Sequence, residues 1–307
     1  MSPTLSRRGL LTGALTLGAG GAAYAFSVEA RGYARLVTFS NWISTEVANR
    51  NSPLEEDHLQ QVLDVFERIY SVQVDTIPIP FDQTLDRLLQ YGNVGILPDV
   101  MQLTGNWPLA LAGRGLLADL GPLADGLTNY RQDAFPGSFA TSSLGPELYS
   151  VPFTVAPLGL WYHKKSLEHA GISDPATTID ELNDQLEILR NKKLSDDAMP
   201  IRVDFTGAEY SLTAFWPWIW SFGGNPLEYG EDESVALNWT DPGTFNAFQW
   251  AQDLIDKGYA PDTPTGWWDR ARFAYGGFAY KVDGPYLRGQ LSGLNPKLRT
   301  VESINDQ

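Results

Sequence analysis

The chain has 307 residues, with 22 Lys plus Arg against 37 Asp plus Glu, ten Trp and no Cys. At about 100–200 residues per domain the length points to two domains. The net charge of −15 argues against nucleic acid as a partner, because phosphate binding needs a basic face. The missing cysteine excludes disulfides, thiolate metal sites, a catalytic thiol and a lipid-modified anchor. With 43% hydrophobic and 19% charged residues the chain is globular rather than disordered.

Residues 1–25 read as an export signal. Ser6-Arg7-Arg8-Gly9-Leu10-Leu11 sets a twin arginine before an apolar run reaching Leu17, and Ala23-Tyr24-Ala25 supplies a small-x-small cleavage pattern. The run is too short and too rich in Gly and Thr for a membrane span. A general-secretory signal that happens to carry two arginines has the same outline, and either route exports the protein. Losing Arg7 and Arg8 takes the basic residues from 22 to 20 against 37 acidic, so the charge moves from −15 to −17. No Cys follows the apolar run, so the expected location is periplasmic, without a lipid anchor.

Leu36-Val37-Thr38-Phe39 is β-prone and runs into Ser40-Asn41-Trp42. Ser52-Pro53 followed by Glu55, Glu56 and Asp57 starts a helix, and the apolar residues at 59, 62, 63, 66, 69 and 70 predict one buried stripe on it. Val72–Ile77 alternates as a strand, Asp82 opens a helix with Leu85, Leu88 and Leu89, and Asp99–Leu103 is the next strand. This order predicts an α/β domain with a largely parallel sheet. Beyond Leu120, Tyr149–Pro152 and Leu158–Tyr162 read as strands, and Thr178-Ile179-Asp180-Glu181 is a capping box before Leu182, Leu186 and Leu189. Ile201–Phe205 reads as a strand and 208–221 as an aromatic helix interrupted by Pro217. Residues 244–257 form a helix with Phe245, Phe248, Ala251, Leu254 and Ile255 inward.

Enzyme signatures are missing. His58, His163 and His169 have no metal-ligand spacing and read as surface residues, and there is no nucleophile elbow, P-loop or dinucleotide fingerprint. The acidic groups Glu55-Glu56, Asp196-Asp197 and Glu231-Asp232-Glu233 read as solvated surface. A carboxylate pair across a glycosidic bond needs a separation that sequence does not display. The informative feature is aromatic residues beside turns: Trp42 after a strand end, Trp107 after Asp99–Leu103, Trp220 before Gly223-Gly224, and Tyr286 after Asp283-Gly284-Pro285. Ligands of open α/β sheets settle beyond the carboxyl ends of strands, and flat rings suit the C–H faces of sugars. The alternative is that such rings fill cores, which is the reading taken for Trp161, Trp216 and Trp250.

Phe66-Glu67-Arg68-Ile69-Tyr70, Leu97-Pro98-Asp99-Val100, Gly115–Leu120, Tyr149–Phe153, Gly159–Lys164 with Ala170-Gly171, Ser221–Gly224 and Asp283–Tyr286 fall in an order and spacing that resembles the extracellular solute-binding proteins of ABC importers, family 1, sugar-binding type. The resemblance covers nearly all of 33–295. It implies an α/β, two-lobed periplasmic-binding-protein-like fold of type II that closes on a sugar or oligosaccharide and delivers it to membrane permease subunits. It implies no enzyme activity, no cofactor or metal, and a monomer.

By the same resemblance, 33–118 is the first part of lobe 1, the chain crosses near Ala118–Leu123, 119–278 is lobe 2, and 279–307 returns to lobe 1. Positions matching ligand contacts are Asn41, Trp42, Thr104, Trp107, Thr154, Asp283, Gly284 and Tyr286, with Trp220 more loosely. Family members often carry acidic residues near the positions of Thr104 and Ala156, which this chain lacks. The family also continues past the Asp-Gly-Pro turn, so the second lobe and hinge read as incomplete and the C-terminus as truncated. A non-binding relic and, from the acidic residues, a secreted carbohydrate-active enzyme are the competing readings.

Overall fold

A computed structural model describes residues 35–42, 53–124, 134–193, 197–204, 209–229, 235–263 and 268–298. The export segment 1–25, the Ser52 cap, Asp196, Phe205, Glu231-Asp232-Glu233 and the last residues from 299 lie outside them. The chain divides into two compact units, residues 1–155 and 156–307.

The first unit is built on three parallel strands in the order β2-β1-β3, with β1 at Arg35–Asn41, β2 at Val72–Pro78 and β3 at Val100–Met101. β3 is shorter than the Asp99–Leu103 run suggests. Asp99 anchors its start, because Asp99 Oδ2 accepts from both the amide and the hydroxyl of Thr38 at 2.9 Å. Helix α1 (Pro53–Tyr70) connects β1 to β2, and α2 (Thr84–Asn93) connects β2 to β3. The traverse reverses direction between these two connections, so right-handed crossovers put α1 and α2 on opposite faces. Ile79, Leu88 and Leu111 form the core on the α2 side, with Ile77, Leu85, Met101 and Leu103 around them. Helix α3 (Trp107–Ala112) contributes Leu111, and α4 is the single turn Gly121–Ala124.

The α1 stripe departs from expectation. Its helical spacing holds, but Val62, Phe66, Ile69 and Tyr70 are exposed, Ile69 to 64%, while Glu67 is buried. Glu67 Oε1 accepts from the Val74 amide at 2.7 Å, satisfying an N–H that β1 does not reach. Amphipathic periodicity reports that a face is apolar, not that a neighbour covers it.

In the short hairpin of β4 (Ser143–Leu144) and β5 (Glu147–Leu148), Leu148 is fully buried. Tyr149–Pro152, expected as a strand, is irregular: the Tyr149 amide reaches the Ser142 carbonyl at 2.8 Å, and the Ser150 amide goes to the same carbonyl instead of extending the ladder. The crossing expected near Ala118–Leu123 lies inside this unit, where Asp119 Oδ1 accepts from the Leu148 amide.

The second unit carries a sheet in the order β6-β10-β7, with β6 at Gly159–Tyr162, β7 at Met199–Arg202 and β10 at Phe278–Asp283. β10 is antiparallel to β6 and parallel to β7, and all six of its residues are buried. The stretch from 279, where the return to lobe 1 is expected, thus begins inside this sheet. The strand from Phe278 to Asp283 is the middle strand of this sheet, and its hydrogen-bond partners on both sides hold it there. Around it stand α5 (Lys164–Ala170), α6 (Ile179–Lys192), α7 (Glu209–Ser221), α8 (Pro242–Asp256), α9 (Trp268–Ala274) and α10 (Leu287–Leu294), with β8 (Leu227–Tyr229) and β9 (Val235–Leu237) as a hairpin. The main core joins Leu182, Leu186 and Leu189 of α6 to Ile201, Trp218, Trp250, Leu254 and Tyr280.

The capping box at α6 forms as read, with Thr178 Oγ1 accepting from the Glu181 amide at 3.2 Å. In α8 the inward face is Thr244, Ala247, Trp250, Ala251 and Leu254, whereas Phe245 and Phe248, expected inward, are exposed. Asp241 fixes that phase by capping Thr244 at 2.8 Å. Trp250 is core, as read, while Trp161 and Trp216 are partly buried beside core clusters. Among the described residues no helix is long and apolar enough to cross a membrane.

The glycine pair at the end of α7 has a packing reason. A Cβ on Gly224 would overlap the Thr244 amide and lie 2.7 Å from the Gly243 carbonyl carbon, because the end of α7 and the start of α8 meet backbone to backbone. Gly224→Ala should therefore destabilise the protein by about 1–3 kcal/mol. The measurement is a denaturant midpoint, and an unchanged midpoint would show that the two helix ends are not in contact.

Candidate functional site

Three aromatic rings collect at the carboxyl ends of the first unit's strands. Trp42 follows β1, Phe81 follows β2, and Trp107 opens α3 after β3. Trp42 meets Phe81 edge-on at 5.3 Å and Trp107 edge-on at 6.0 Å, and Phe81 lies 5.3 Å from Trp107. Each ring is set by backbone bonds at its strand end. The Ile79 amide donates to the Asn41 carbonyl, the Gln102 amide to the Ser40 carbonyl, and the Trp42 amide to Gln102 Oε1 at 3.3 Å. The Trp107 amide closes a turn on the Thr104 carbonyl. The direction of traverse reverses between β1 and β3, which is where ligands of such sheets bind. Trp107 is 6% exposed and forms the floor, while Phe81 is exposed and Trp42 half-buried.

The second unit ends its middle strand in a buried ionic network. Two strands carry the same alternation, Ile201-Arg202-Val203-Asp204 and Tyr280-Lys281-Val282-Asp283, and the register sets Lys281 beside Arg202. The period of two sends Ile201, Val203, Tyr280 and Val282 to the main core and the four charged residues to the other face. Like charges side by side in a sheet repel, so the carboxylates must interleave. They do so: Lys281 Nζ lies 3.1 Å from Asp204 and 3.7 Å from Asp283, and Arg202 Nε lies 3.8 Å from Asp204. Helix α9 adds one charge of each sign. Asp269 pairs with Arg202 Nε at 3.0 Å, and Arg270 grips Asp283 with Nε and Nη2 at 2.9 and 3.0 Å. Three acids thus balance three bases.

Asp283 is saturated. Its carboxylate also accepts from the Gly284 amide at 2.9 Å, and its carbonyl accepts from Trp161 Nε1 at 2.9 Å. Burial pushes its pKa up, but Arg270, Lys281 and the Gly284 amide outweigh burial and hold the carboxyl below its ordinary range. Arg270 in turn lies over the Tyr286 ring at 5.0 Å.

The nine residues marked in the sequence therefore fall into different places. Trp42, Trp107, Thr104 and Asn41 gather at the first unit's strand ends, with Asn41 buried and Thr104 half-buried. Thr154 is exposed in the irregular stretch after the β4–β5 hairpin. In the second unit Tyr286 is exposed, Asp283 and Gly284 are buried beneath it, and Trp220 is 61% exposed at the end of α7, edge-on to Trp216. Sequence reasoning missed Phe81 and Arg270. Pro80 before Phe81 signalled a turn at a strand end, and the cation-Val-Asp repeat signalled a paired charged face that needed partners. His163, read as a surface residue, is half-buried; its Nδ1 pairs with Ser166 Oγ at 3.0 Å, and burial, then Lys165, lowers its pKa. Among the described residues no group of His, Asp or Glu is placed to hold a metal ion.

The profile of the family described as bacterial extracellular solute-binding protein matches residues 52–289. A binding protein of Brucella abortus is 24% identical over 232 residues, covering 72% of this chain and 52% of its own length. The GacH receptor of Streptomyces glaucescens, solved unliganded and with acarbose, superposes with a TM-score of 0.68 at 23% identity, covering 84% of this chain and 62% of that one. UgpB of Mycobacterium tuberculosis, solved with glycerophosphocholine, gives 0.69 at 20% identity, covering 86% and 62%. The chain thus spans about half to two thirds of the length of these proteins, and the structural likeness establishes the fold.

The network makes a pH prediction. Asp283 has a folded pKa depressed below 3.8, so its contribution is complete at neutral pH and is lost as pH falls through the folded value. Asp283→Asn should lower stability at neutral pH by about 3–5 kcal/mol, since it leaves buried cations short of a partner. The variant should also lose less stability than the wild type between about pH 5 and pH 3. Parallel acid limbs in denaturant titrations of the two proteins would contradict this.

Proposed function

Because the chain belongs to the bacterial extracellular solute-binding protein family, we propose that it is the exported, periplasmic substrate-binding component of an ABC importer, taking a sugar or oligosaccharide and passing it to membrane permease subunits. The observation that carries the reading is the ring group Trp42, Phe81 and Trp107 at the point where the first sheet reverses its traverse. A floor of fixed rings with backbone carbonyls and amides around it offers flat apolar contact to sugar C–H faces and leaves polar groups for hydroxyls. In the second unit Tyr286 offers the corresponding ring. The twin arginine at Arg7 and Arg8 supports export in a folded state, and the protein acts as a monomer.

The charge balance beneath Tyr286 favours a neutral solute. Arg202, Arg270 and Lys281 are each matched by a carboxylate, so the network presents no surplus positive charge to a phosphate or carboxylate ligand. The absence of acidic residues at Thr104 and Ala156 moves polar recognition to amides, hydroxyls and the Gln102 region.

Titration of intrinsic Trp fluorescence with maltose, acarbose and glycerophosphocholine tests the reading. Saturable binding of at least one of the sugars is expected, weakened about tenfold or more by Trp42→Ala or Phe81→Ala with far-ultraviolet circular dichroism unchanged. No saturable response to any of the three would favour a non-binding protein. Release of glucose from maltose by the purified chain would make it an enzyme.

A further inference from the structure

We infer that Arg270 is a positioning residue: clamped by buried Asp283, its guanidinium holds the Tyr286 ring in one orientation against Gly284. The inference rests on the reading above in taking Tyr286 as the solute-facing ring of the second unit.

Both oxygens of Asp283 engage Arg270, and Asp283 is fully buried with Lys281 and the Gly284 amide fixing it from behind. A bidentate fork leaves the guanidinium plane little freedom. The Arg270 Cζ lies 5.0 Å from the Tyr286 ring centroid, within the range where a cation and a ring attract. Gly284 confines the same ring, because a Cβ there would overlap Tyr286 Cε1 and Cζ, so the ring packs directly on the glycine backbone. Pro285 between them restricts the backbone φ. Tyr286 remains 37% exposed, so a ring confined by the guanidinium and Gly284 still presents surface to solvent. A side chain held before the ligand arrives loses less entropy on binding.

The test uses the full chain labelled with 3-fluorotyrosine, in which the resonance missing from Tyr286→Phe identifies that ring. In the wild type the Tyr286 fluorine signal should be displaced from that of free fluorotyrosine. Arg270→Lys, which keeps the charge but loses the fork, should move that signal most of the way back and leave the other tyrosines in place. Gly284→Ala, which leaves every charge intact, should displace the same signal from the other side and serves if the lysine variant does not fold. A Tyr286 signal unchanged in a folded Arg270→Lys, or unchanged in Gly284→Ala where the lysine variant does not fold, overturns the inference, whatever the ligand.

Acarbose binding then separates positioning from direct contact. Arg270→Lys should weaken binding about 3–10-fold in the wild-type background and cause no further loss in Tyr286→Ala. A loss that persists without Tyr286 overturns the inference, because Arg270 would then act on the solute itself. If the fluorine signal moves as expected while Tyr286→Ala leaves acarbose affinity intact, positioning stands and it is the solute-facing reading of Tyr286 that falls.

Discussion

The constraint on which the second unit depends is that two buried cations sit side by side in adjacent parallel strands. Lys281 and Arg202 occupy neighbouring positions in the sheet with almost no exposed side-chain surface. Alone, that arrangement would repel and would also carry the desolvation penalty of two ions. It persists because each strand supplies an aspartate two residues further along, on the same face, and α9 delivers one more acid and one more base as the adjacent pair Asp269-Arg270. The same alternation sends Ile201, Val203, Tyr280 and Val282 into the core. A slip of one residue between β10 and β7 would exchange the faces, burying charge in the apolar core and apolar groups among ions. The network therefore specifies register as well as occupying space.

The first unit holds its strand ends with hydrogen bonds and rings. Its strands finish in carbonyls and amides that pair with one another and with Gln102, and the space above them is filled by rings packed edge to face. Rings arranged this way hold each other through their edges and faces and need no counterion. Both units thus place aromatic surface just beyond a strand's carboxyl end, but one fixes it by ring packing and the other by a charged clamp. A change of ionic strength or pH should act on the second ring and leave the first alone.

What sequence revealed follows the range of the interaction concerned. The capping box at Thr178 and Glu181 was legible because all its atoms lie within four residues. The parallel order of β1, β2 and β3 was legible because alternating strands and helices leave few other topologies. The α1 face was legible as apolar and illegible as exposed, since covering it is a matter of distant chain. The inner face of α8 was legible in Ala251, Leu254 and Ile255 but not in Phe245 and Phe248: the apolar residues span more than one face, and the Asp241 cap and the packing against α7 put Trp250 inward instead. Trp42 and Trp107 in the first unit and Tyr286 in the second were visible as aromatics beside turns. Asp283 looked like a polar contact, yet its lone pairs are taken by Arg270 and Gly284, and nothing near Arg270 in sequence announces that pairing.

β10 also ties stability to recognition. The strand is buried along its whole length, contributes to two core clusters, and ends at the glycine and tyrosine of the proposed contact. Any substitution that disturbs the ionic face acts on folding through the sheet and on the ring through Arg270. A loss of binding in such a variant is therefore ambiguous by itself. The two effects separate at Arg270, which lies at the edge of the network with a quarter of its side chain exposed, whereas Lys281 and Arg202 lie at its centre. Replacing Arg270 with Lys releases the ring while three acids still face three bases, so the geometry itself marks the position at which the ring can be perturbed with least cost to the fold.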